Sequence, residues 1–331
     1  MGHRRYSAPR RGSLAFRPLG RAKSPVARTR FWPKVDGPPR LLGFSAYKAG
    51  MTHAYLVETN EFSVLKGKEI FTPVTVLDAP PVLVLGVRAY GDGGNGLTCL
   101  GEAWTGSLPD EVKGRIKGAK AGDLEKLRKV AQGAAEVRAV VSTLPARSGN
   151  PRKKPEVFEI GIGGGTPKER LEYGIQILGK EIDASKVFKP GEYVDVFSVS
   201  KGKGYAGVIK RRGAKIRDRK SNKPRRGIAT LGAWNPSAVT YTTPRGGQLG
   251  YWQRAERNKL IVAIGNDPSK VNAPGGFIRY GLVPGNYVLL KGSVPGPSKR
   301  LVKLRVSARK RVKEPVPPSV VEVALASPQG G

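Results

Sequence analysis

The chain has 331 residues, of which 59 are Lys or Arg and 25 are Asp or Glu, so its formal net charge is +34. Its length suits about two domains, and a hydrophobic content of 39% supports a packed core. Such a charge implies a nucleic-acid partner or an anionic membrane surface. The membrane is the weaker alternative, because the most apolar run, residues 82–87, is far shorter than the ~18 residues of a spanning helix. We therefore interpret the partner as RNA and expect no membrane contact.

Residues 1–40 carry eleven Lys or Arg and one acid, Asp36, with Pro and Gly throughout. Because no apolar period appears, this stretch cannot bury enough surface in water to offset the entropy of ordering. It is either a solvated tail or an arm that orders on RNA, and its Arg content favours the arm. It has no apolar signal-peptide core, and Pro9, Pro18 and Pro25 forbid an amphipathic transit helix, so we expect a cytoplasmic, unprocessed chain.

The texture from residue 41 onward predicts mostly strands. Runs rich in β-branched and aromatic residues predict them at residues 41–58, 71–90, 97–104, 136–144, 156–162, 192–200 and 259–265. A meander at 276–283, 286–294 and 299–307 follows, with turns at Pro284-Gly285 and at 295–297. A loop is expected at 91–96 and a short helix within 101–120. The segment after Lys313 predicts no element.

Two longer helices are predicted between these strands. Asp123 can cap a helix whose apolar residues Leu124, Leu127 and Val130 fall at helical spacing. The sequence TPKE at 166–169 places an N-cap Thr, a Pro at the first position and a Glu that can close a capping box. The stripe that this second helix buries would consist of Leu171, Ile175 and Leu178. The near-balanced charge of residues 91–189 predicts an α/β insertion placed away from the polyanion.

Alternation in the last predicted strand separates two kinds of side chain. Val302, Leu304 and Val306 share one face, and Lys303 and Arg305 share the other. We expect the first face to pack and the second to be a basic surface.

The segment 201–257 dominates the charge distribution. Residues 201–226 alone hold twelve Lys or Arg and one acid, Asp218. Burying so many unpaired cations would cost too much free energy, so the segment requires an anionic partner. Its aromatic residues can either pack in a core or stack on unpaired RNA bases. The turn-like sequence around Trp234 favours a projecting loop tip; the aromatic residues concerned are Tyr205, Trp234, Tyr241, Tyr251 and Trp252.

Sequence patterns for catalysis or cofactors are weak. Gly202, Gly204 and Gly207 match G-x-G-x-x-G, but lysines and arginines follow where a βαβ unit needs a crossover helix, so we reject a dinucleotide site. We interpret these glycines as positions where the backbone approaches phosphates closely. The run 161–168 lacks the ending of a phosphate loop. Cys99, His3 and His53 form no metal-ligand spacing. We expect no enzyme, cofactor, metal site or small-molecule substrate.

The candidate functional residues are cations that neutralise phosphates and aromatic residues that stack on bases. We predict RNA contacts from Arg4, Arg5, Arg10, Arg11, Arg17, Arg21, Lys23, Arg28, Arg30, Lys48, Lys201, Lys203, Lys210, Arg211, Arg212, Lys215, Arg217, Arg219, Lys220, Lys223, Arg225, Arg226, Trp234, Arg245, Tyr251, Trp252, Arg254 and Arg257.

Seven colinear stretches resemble the universal large-subunit ribosomal protein L3 family in its archaeal and eukaryotic form. They lie at 11–18, 43–53, 201–213, 231–239, 247–259, 276–283 and 288–296. The resemblance implies a closed antiparallel barrel of the translation-protein type, an α/β insertion, and two basic extensions threaded into ribosomal RNA. It also implies a non-catalytic structural protein that acts early in subunit assembly. In the family a central loop reaches toward the peptidyl transferase centre on the aminoacyl-tRNA entry side, and its tip Trp corresponds to Trp234.

Together these inferences predict a mainly β chain with an α/β insertion. The expected divisions are an arm at 1–40, barrel parts at 41–90 and 190–313 flanking the insertion at 91–189, the basic loop at about 201–257, and a tail at 314–331. The expected partners are large-subunit ribosomal RNA and neighbouring ribosomal proteins, with the chain bound to cytoplasmic ribosomes. A free-standing RNA chaperone or general nucleic-acid binder is the alternative, and a nucleotide-dependent enzyme using Gly202 to Gly207 is a third class.

Overall fold

A computed structural model describes most of the chain, namely residues 13–14, 17–59, 61–116, 122, 124–130, 133–221, 224–309 and 316–326. Two compact units divide it: a basic unit of Met1–Ser24 and Val199–Gln253, and a β unit of Pro25–Ser198 and Arg254–Gly331. The predicted arm at 1–40 is therefore shared between the units. Six residues predicted as a helix cap or as RNA contacts lie outside the described residues: Asp123, Arg4, Arg5, Arg10, Arg11 and Lys223.

Strands far outnumber helices, so the mainly β class is confirmed. The strands are β1 (Arg40–Leu41), β2 (Gly43–Val57), β3 (Glu69–Asp78), β4 (Val82–Asp92), β5 (Leu97–Trp104), β6 (Glu136–Thr143), β7 (Val157–Gly163), β8 (Glu181–Ile182), β9 (Tyr193–Val199), β10 (Gly202–Ala206), β11 (Gly247–Gly250), β12 (Gln253–Gly265), β13 (Tyr287–Lys291), β14 (Leu301–Val306) and β15 (Ser319–Val323). The helices are α1 (Asp110–Lys113), α2 (Leu124–Val130), α3 (Pro167–Gln176), α4 (Ala184–Val187) and α5 (Val208–Arg212). No helix among the described residues is long and apolar enough to cross a membrane.

The larger sheet of the β unit has the strand order β14-β9-β12-β13-β3-β2-β15. Because β14 also pairs with β2, six of these strands return to their starting point in a ring of pairings. Buried residues from four of these strands, Ala46, Val196, Ile261 and Leu304, belong to one large apolar cluster. β15 joins the edge of β2, although the sequence after residue 313 predicted no element.

The second sheet of the β unit has the order β1-β7-β6-β4-β5, with β8 paired to β4. Residues 82–90, which the sequence assigned to the first barrel part, therefore lie in this sheet and not in the ring. Pro80 and Pro81, which lie between β3 and β4 in the sequence, interrupt strand pairing there, because proline has no N–H to donate to a ladder. The change of sheet occurs at this Pro-Pro pair and not at the loop of residues 93–96.

Helix α3 begins as the sequence predicts. The Thr166 hydroxyl accepts from the Glu169 N–H at 3.4 Å, and the Glu169 carboxylate accepts from the Thr166 N–H at 3.3 Å. Pro167 is its first residue and Leu171 is buried. The helix ends at Gln176, so Leu178 packs from beyond its end.

The predicted strand at 276–283 is wrong. The segment turns back on itself, with one isolated bridge between Phe277 and Gly281. Gly276, Gly281 and Arg279 have φ values of +72°, +100° and +64°, which extended strands do not adopt. Two glycines within six residues let the chain turn where the apolar residues alone suggested a strand.

The expected basic face of β14 is also wrong. Lys303 and Arg305 are as buried as their apolar neighbours, with exposed fractions of 7% and 2%. The Arg305 guanidinium donates to Asp195 Oδ2 at 2.6 Å and to the Phe31 carbonyl at 2.7 Å. It stacks 4.3 Å from the centroid of the Phe31 ring and 4.8 Å from that of Phe197. The face is covered because the chain at Phe31 packs on Arg305 and the ring of Phe158 packs on Lys303.

Asp195 completes this buried arrangement. Its Oδ1 accepts the Asn258 N–H at 3.1 Å, and its Oδ2 accepts the Ala308 N–H at 3.3 Å in addition to Arg305. One carboxylate thus joins β9 to the chain segments at β12 and just after β14. Such a buried pair contributes little relative to an apolar replacement, but losing one partner leaves an uncompensated charge.

We expect Asp195→Ala to lower the free energy of unfolding by about 3–5 kcal/mol, because it strands the Arg305 guanidinium in the interior. Urea denaturation followed by circular dichroism measures the change. Glu172→Gln, which breaks an exposed ion pair with Arg128, is the control and should leave the denaturation midpoint nearly unchanged. Equal midpoints for the two variants would show that Asp195 does not hold the fold.

Candidate nucleic-acid interface

A short antiparallel ladder starts and ends the basic loop in the basic unit. β10 pairs with β11, with Gly202 opposite Gly250 and Ala206 opposite Gly247. Gly250 has a φ of +68°, and a Cβ there would lie 2.1 Å from the Lys201 carbonyl oxygen. Only glycine allows the two strands to approach so closely at this point. The glycine pattern that resembled a dinucleotide motif therefore belongs to a narrow two-stranded neck.

Arg211 fixes the neck from inside the loop. Its Nε donates to the Gln248 carbonyl at 2.9 Å, and one terminal nitrogen donates to the Arg245 carbonyl at 2.9 Å and to that of Gly246 at 3.4 Å. Helix α5 carries Arg211 and ends at Arg212, and the next residue, Gly213, has a φ of +65° that gives a left-handed C-cap. Arg212, on the same helix, is buried. Both side chains are thus turned toward the protein, and the RNA contacts predicted for them stay predictions.

Most of the other described cations of the loop are exposed. Arg217 is half-buried, and its N–H donates to the Arg225 carbonyl at 3.0 Å, which draws the two ends of the most basic stretch together. Asp218 is the one acid in residues 201–226, so charge repulsion within the loop is nearly uncompensated. Phosphates would relieve that repulsion. The exposed members of the predicted set in this loop are Lys201, Lys203, Lys210, Lys215, Arg219, Lys220, Arg225, Arg226 and Arg245.

The tip of the loop is apolar and closed by threonines. The Thr243 hydroxyl donates to the Leu231 carbonyl at 3.0 Å, and the Thr243 N–H donates to the Thr240 carbonyl at 3.1 Å. Trp234 projects from the closed tip with 92% of its surface exposed. It helps to line a concavity of about 340 Å³ formed by residues 231–234 and 236–239. A large apolar side chain in this position signals a contact surface and not a core.

Other aromatic residues of the basic unit fall into two groups. Tyr205 and Tyr241 are 82% and 73% exposed and so present their rings outward as Trp234 does. Tyr251 and Trp252 are half-buried. The Tyr251 N–H donates to the Lys201 carbonyl at 3.0 Å, and the Trp252 N–H donates to the Ser200 hydroxyl at 3.2 Å.

The N-terminal arm meets this neck within the basic unit. The Ala22 N–H donates to the Tyr251 carbonyl at 2.9 Å, and the Arg21 guanidinium lies 5.3 Å from the centroid of the Tyr251 ring. Arg21 and Lys23 are exposed, whereas Arg17 is half-buried. Arm and loop therefore present their cations from one unit.

The predicted contacts in the β unit are less uniform. Arg28, Arg30 and Arg257 are exposed, and Arg254 is half-buried. Lys48 is buried, and its ammonium donates to the Val294 carbonyl at 2.5 Å. Its position in β2 turns the side chain inward, so it does not belong to the exposed set. Among the described residues, no group of three His, Cys, Asp or Glu side chains could hold a metal ion.

Comparison with known proteins identifies the family. The family model described as Ribosomal protein L3 matches residues 1–326. The chain belongs to this family. It is 44% identical to the large ribosomal subunit protein uL3 of Methanopyrus kandleri, over 99% of this chain and 93% of that protein. It is also 44% identical to uL3 of Methanothermobacter thermautotrophicus (98% and 99% covered) and 43% identical to that of Methanococcus aeolicus (100% of both).

Two adjacent cations of this L3-family chain should respond differently to substitution. We expect Lys210→Gln to reduce the slope of log affinity for RNA against log salt by ~0.7–0.9, because one phosphate contact is lost. Arg211→Gln should instead speed amide hydrogen exchange in β11, because the carbonyls of the neck lose their donor. Exchange measured by mass spectrometry separates the two variants. Unchanged exchange in Arg211→Gln would contradict its assignment to the neck.

Proposed function

We propose that the chain is a structural constituent of the large ribosomal subunit that binds ribosomal RNA and has no catalytic activity of its own. The observation that carries the proposal is the basic loop, whose exposed cations flank an exposed apolar tip on a narrow neck. Its relatives are named large ribosomal subunit protein uL3. The chain would accordingly reside on cytoplasmic ribosomes beside other large-subunit proteins.

The loop would act by threading into folded RNA. Its Lys and Arg side chains would neutralise phosphates along the path, releasing counter-ions, while Arg211 and the ladder keep the entry point fixed. Tyr205, Tyr241 and Trp234 offer faces for unpaired bases. The ordering entropy of a loop with no apolar core would then be offset by RNA contacts, which favours binding while the RNA is still folding, early in assembly.

The β unit supplies the strands that precede and follow the basic segment in the sequence. We propose that the six-stranded ring is a closed antiparallel barrel of the translation-protein type, with the second sheet as its α/β insertion. The strands β9 and β12 flank the basic segment in the sequence. Both strands belong to the ring. On the ribosome the loop would reach toward the peptidyl transferase centre, with Trp234 on the aminoacyl-tRNA entry side.

Binding preference distinguishes this function from that of an RNA chaperone. We expect the purified chain to bind large-subunit RNA fragments more tightly than unrelated RNA of equal length, with the ratio increasing as salt rises, because charge alone is nonspecific. Filter binding at several salt concentrations measures the ratio. On ribosomes, the chain should resist salt washes that remove peripheral proteins. Equal affinity for both RNAs would favour the chaperone.

We expect Trp234→Ala to leave subunit assembly largely intact but to alter aminoacyl-tRNA binding and peptide transfer, because the tip contributes few of the phosphate contacts. Subunits purified from cells that carry only the variant provide the measurement. Ile216→Ala, which removes an exposed apolar side chain elsewhere in the loop, is the matched control. Normal tRNA binding and peptide transfer in Trp234→Ala subunits would argue against a functional tip.

A further inference from the structure

A concavity of about 400 Å³ opens in the β unit, remote in sequence from the basic loop. Its floor comes from the strands β4, β6, β7 and β14, and one wall comes from the chain at residues 28–32. Trp32, Trp104 and Phe158 give it three aromatic surfaces. Trp32 lies flat on β7 because residue 161 is glycine: a Cβ there would fall 2.5 Å from the indole ring. The volume lies within the range of ~300–1,000 Å³ that small-ligand sites occupy.

The charges that line this groove are mostly positive. Four basic residues line it, Arg28, Arg88, Arg138 and Lys303, together with one acid, Glu159. The acid is already engaged, because the carboxylate of Glu159 accepts from Arg88 at 2.8 Å, from Arg138 at 3.2 Å and from the hydroxyl of Tyr90 at 2.6 Å. Arg88 and Arg138 are also paired with Glu102 at 2.7 Å and with Glu136 at 2.8 Å, so Lys303 is the buried cation of the groove that has no carboxylate partner among the described residues.

Lys303 is the least satisfied of these cations. Its ammonium lies 3.9 Å from the centroid of the Phe158 ring, and among the described residues it has no oxygen acceptor. Burial lowers the pKa of Lys303 to about 7, against the weaker opposing effect of Glu159 and Glu156. A hydroxyl in the same groove, that of Thr29, is buried and also lacks a hydrogen-bond partner within the described part of the chain. Buried donors of this kind normally have partners, so a ligand oxygen is indicated.

We propose that this groove binds one unpaired RNA nucleotide, with a phosphate oxygen at Lys303 and Thr29 and the base against the aromatic wall of Trp32, Trp104 and Phe158. This assignment rests on the proposed RNA-binding function and adds a second contact surface to it. Bases taken out of a helix are commonly stacked on aromatic rings and held by cations at their phosphates. The second sheet would then contact RNA, although the near-balanced charge of residues 91–189 predicted that this part of the chain lies away from it.

Photo-crosslinking tests the groove directly. The full-length chain is bound to large-subunit RNA transcribed with 4-thiouridine, irradiated and digested, and crosslinked peptides are identified by mass spectrometry. We expect crosslinks to peptides containing Trp32, Trp104 or Phe158 in addition to those in the basic loop. Lys303→Met should reduce the groove crosslinks about tenfold, as expected for the loss of ~1.4 kcal/mol of binding, without changing those at the loop.

A matched control variant and the distribution of crosslinks distinguish the possible outcomes. Lys303→Met keeps an unbranched side chain of similar size and removes a desolvated charge, so the variant should fold. Lys291→Met removes an exposed lysine on β13 of the same sheet and should change nothing. Loop crosslinks without groove crosslinks, or groove crosslinks that survive Lys303→Met, would overturn the groove assignment alone. Absence of crosslinks in both places would overturn the proposed function itself. Micromolar binding of free uridine monophosphate in calorimetry would make the groove a small-molecule site instead.

A pH series gives a readout that a purely structural lysine would not produce. The other charged groups facing Lys303 are Arg28, Arg88 and Arg138, together with Glu156 and Glu159. Although burial raises it, hydrogen bonds from Tyr90, Arg88 and Arg138 hold the pKa of Glu159 below its usual value, so that carboxylate stays ionised near neutrality. Groove crosslinking should therefore fall up to about tenfold between pH 6 and pH 8 as the ammonium loses its proton. It should stay level in Lys303→Arg, and a pH-independent wild-type yield would count against the ammonium contact.

Discussion

The buried contact between Arg305 and Asp195 is the interaction on which the rest of the β unit depends. It stands at the junction of β14 with β9, and the same carboxylate accepts backbone N–H groups from Asn258 and Ala308. β9 and β12 flank the basic segment in the sequence, so the pair sits where the chain leaves the ring and where it returns. A charge pair here costs desolvation that apolar packing would avoid. The pair fixes the register of β9, β12 and the chain just after β14, because a shift of one strand would leave both charges unpaired.

In the basic unit most cations are exposed, in contrast to the buried and paired Arg305 of the β unit. The basic loop keeps its cations exposed and stabilises only the neck, through the ladder and the carbonyl contacts of Arg211. The described residues between α5 and β11 contain no helix or strand, so this stretch has little apolar burial to offset the entropy of order. Contacts with RNA phosphates would supply the free energy that offsets this entropy cost. The β unit is thus stabilised by its own apolar core, whereas the exposed loop of the basic unit would be stabilised by contacts with RNA.

Much of this architecture could be predicted from the sequence where the determining contacts are local. The start of α3 depends on residues three positions apart, and most strands follow from β-branched composition. Burial of individual cations could not be predicted. The acceptor of Lys48 lies 246 residues away and that of Arg305 lies 110 residues away. Alternation shows which residues share a face of β14, but only the assembled fold determines what covers that face.

Cations in this chain therefore divide by the acceptors that the fold supplies, and not by the density of charge around them in the sequence. Arg211 lies within the most basic segment yet is used by three backbone carbonyls, whereas its neighbour Lys210 is exposed. Arg305 and Lys303 are two residues apart on one strand, but a carboxylate meets the first and only an aromatic face meets the second. The ammonium of Lys303 contacts a ring and no oxygen, and the hydroxyl of Thr29 in the same groove also lacks a hydrogen-bond partner among the described residues. Unpaired buried donors of this kind distinguish a ligand-binding groove from a salt-bridged core.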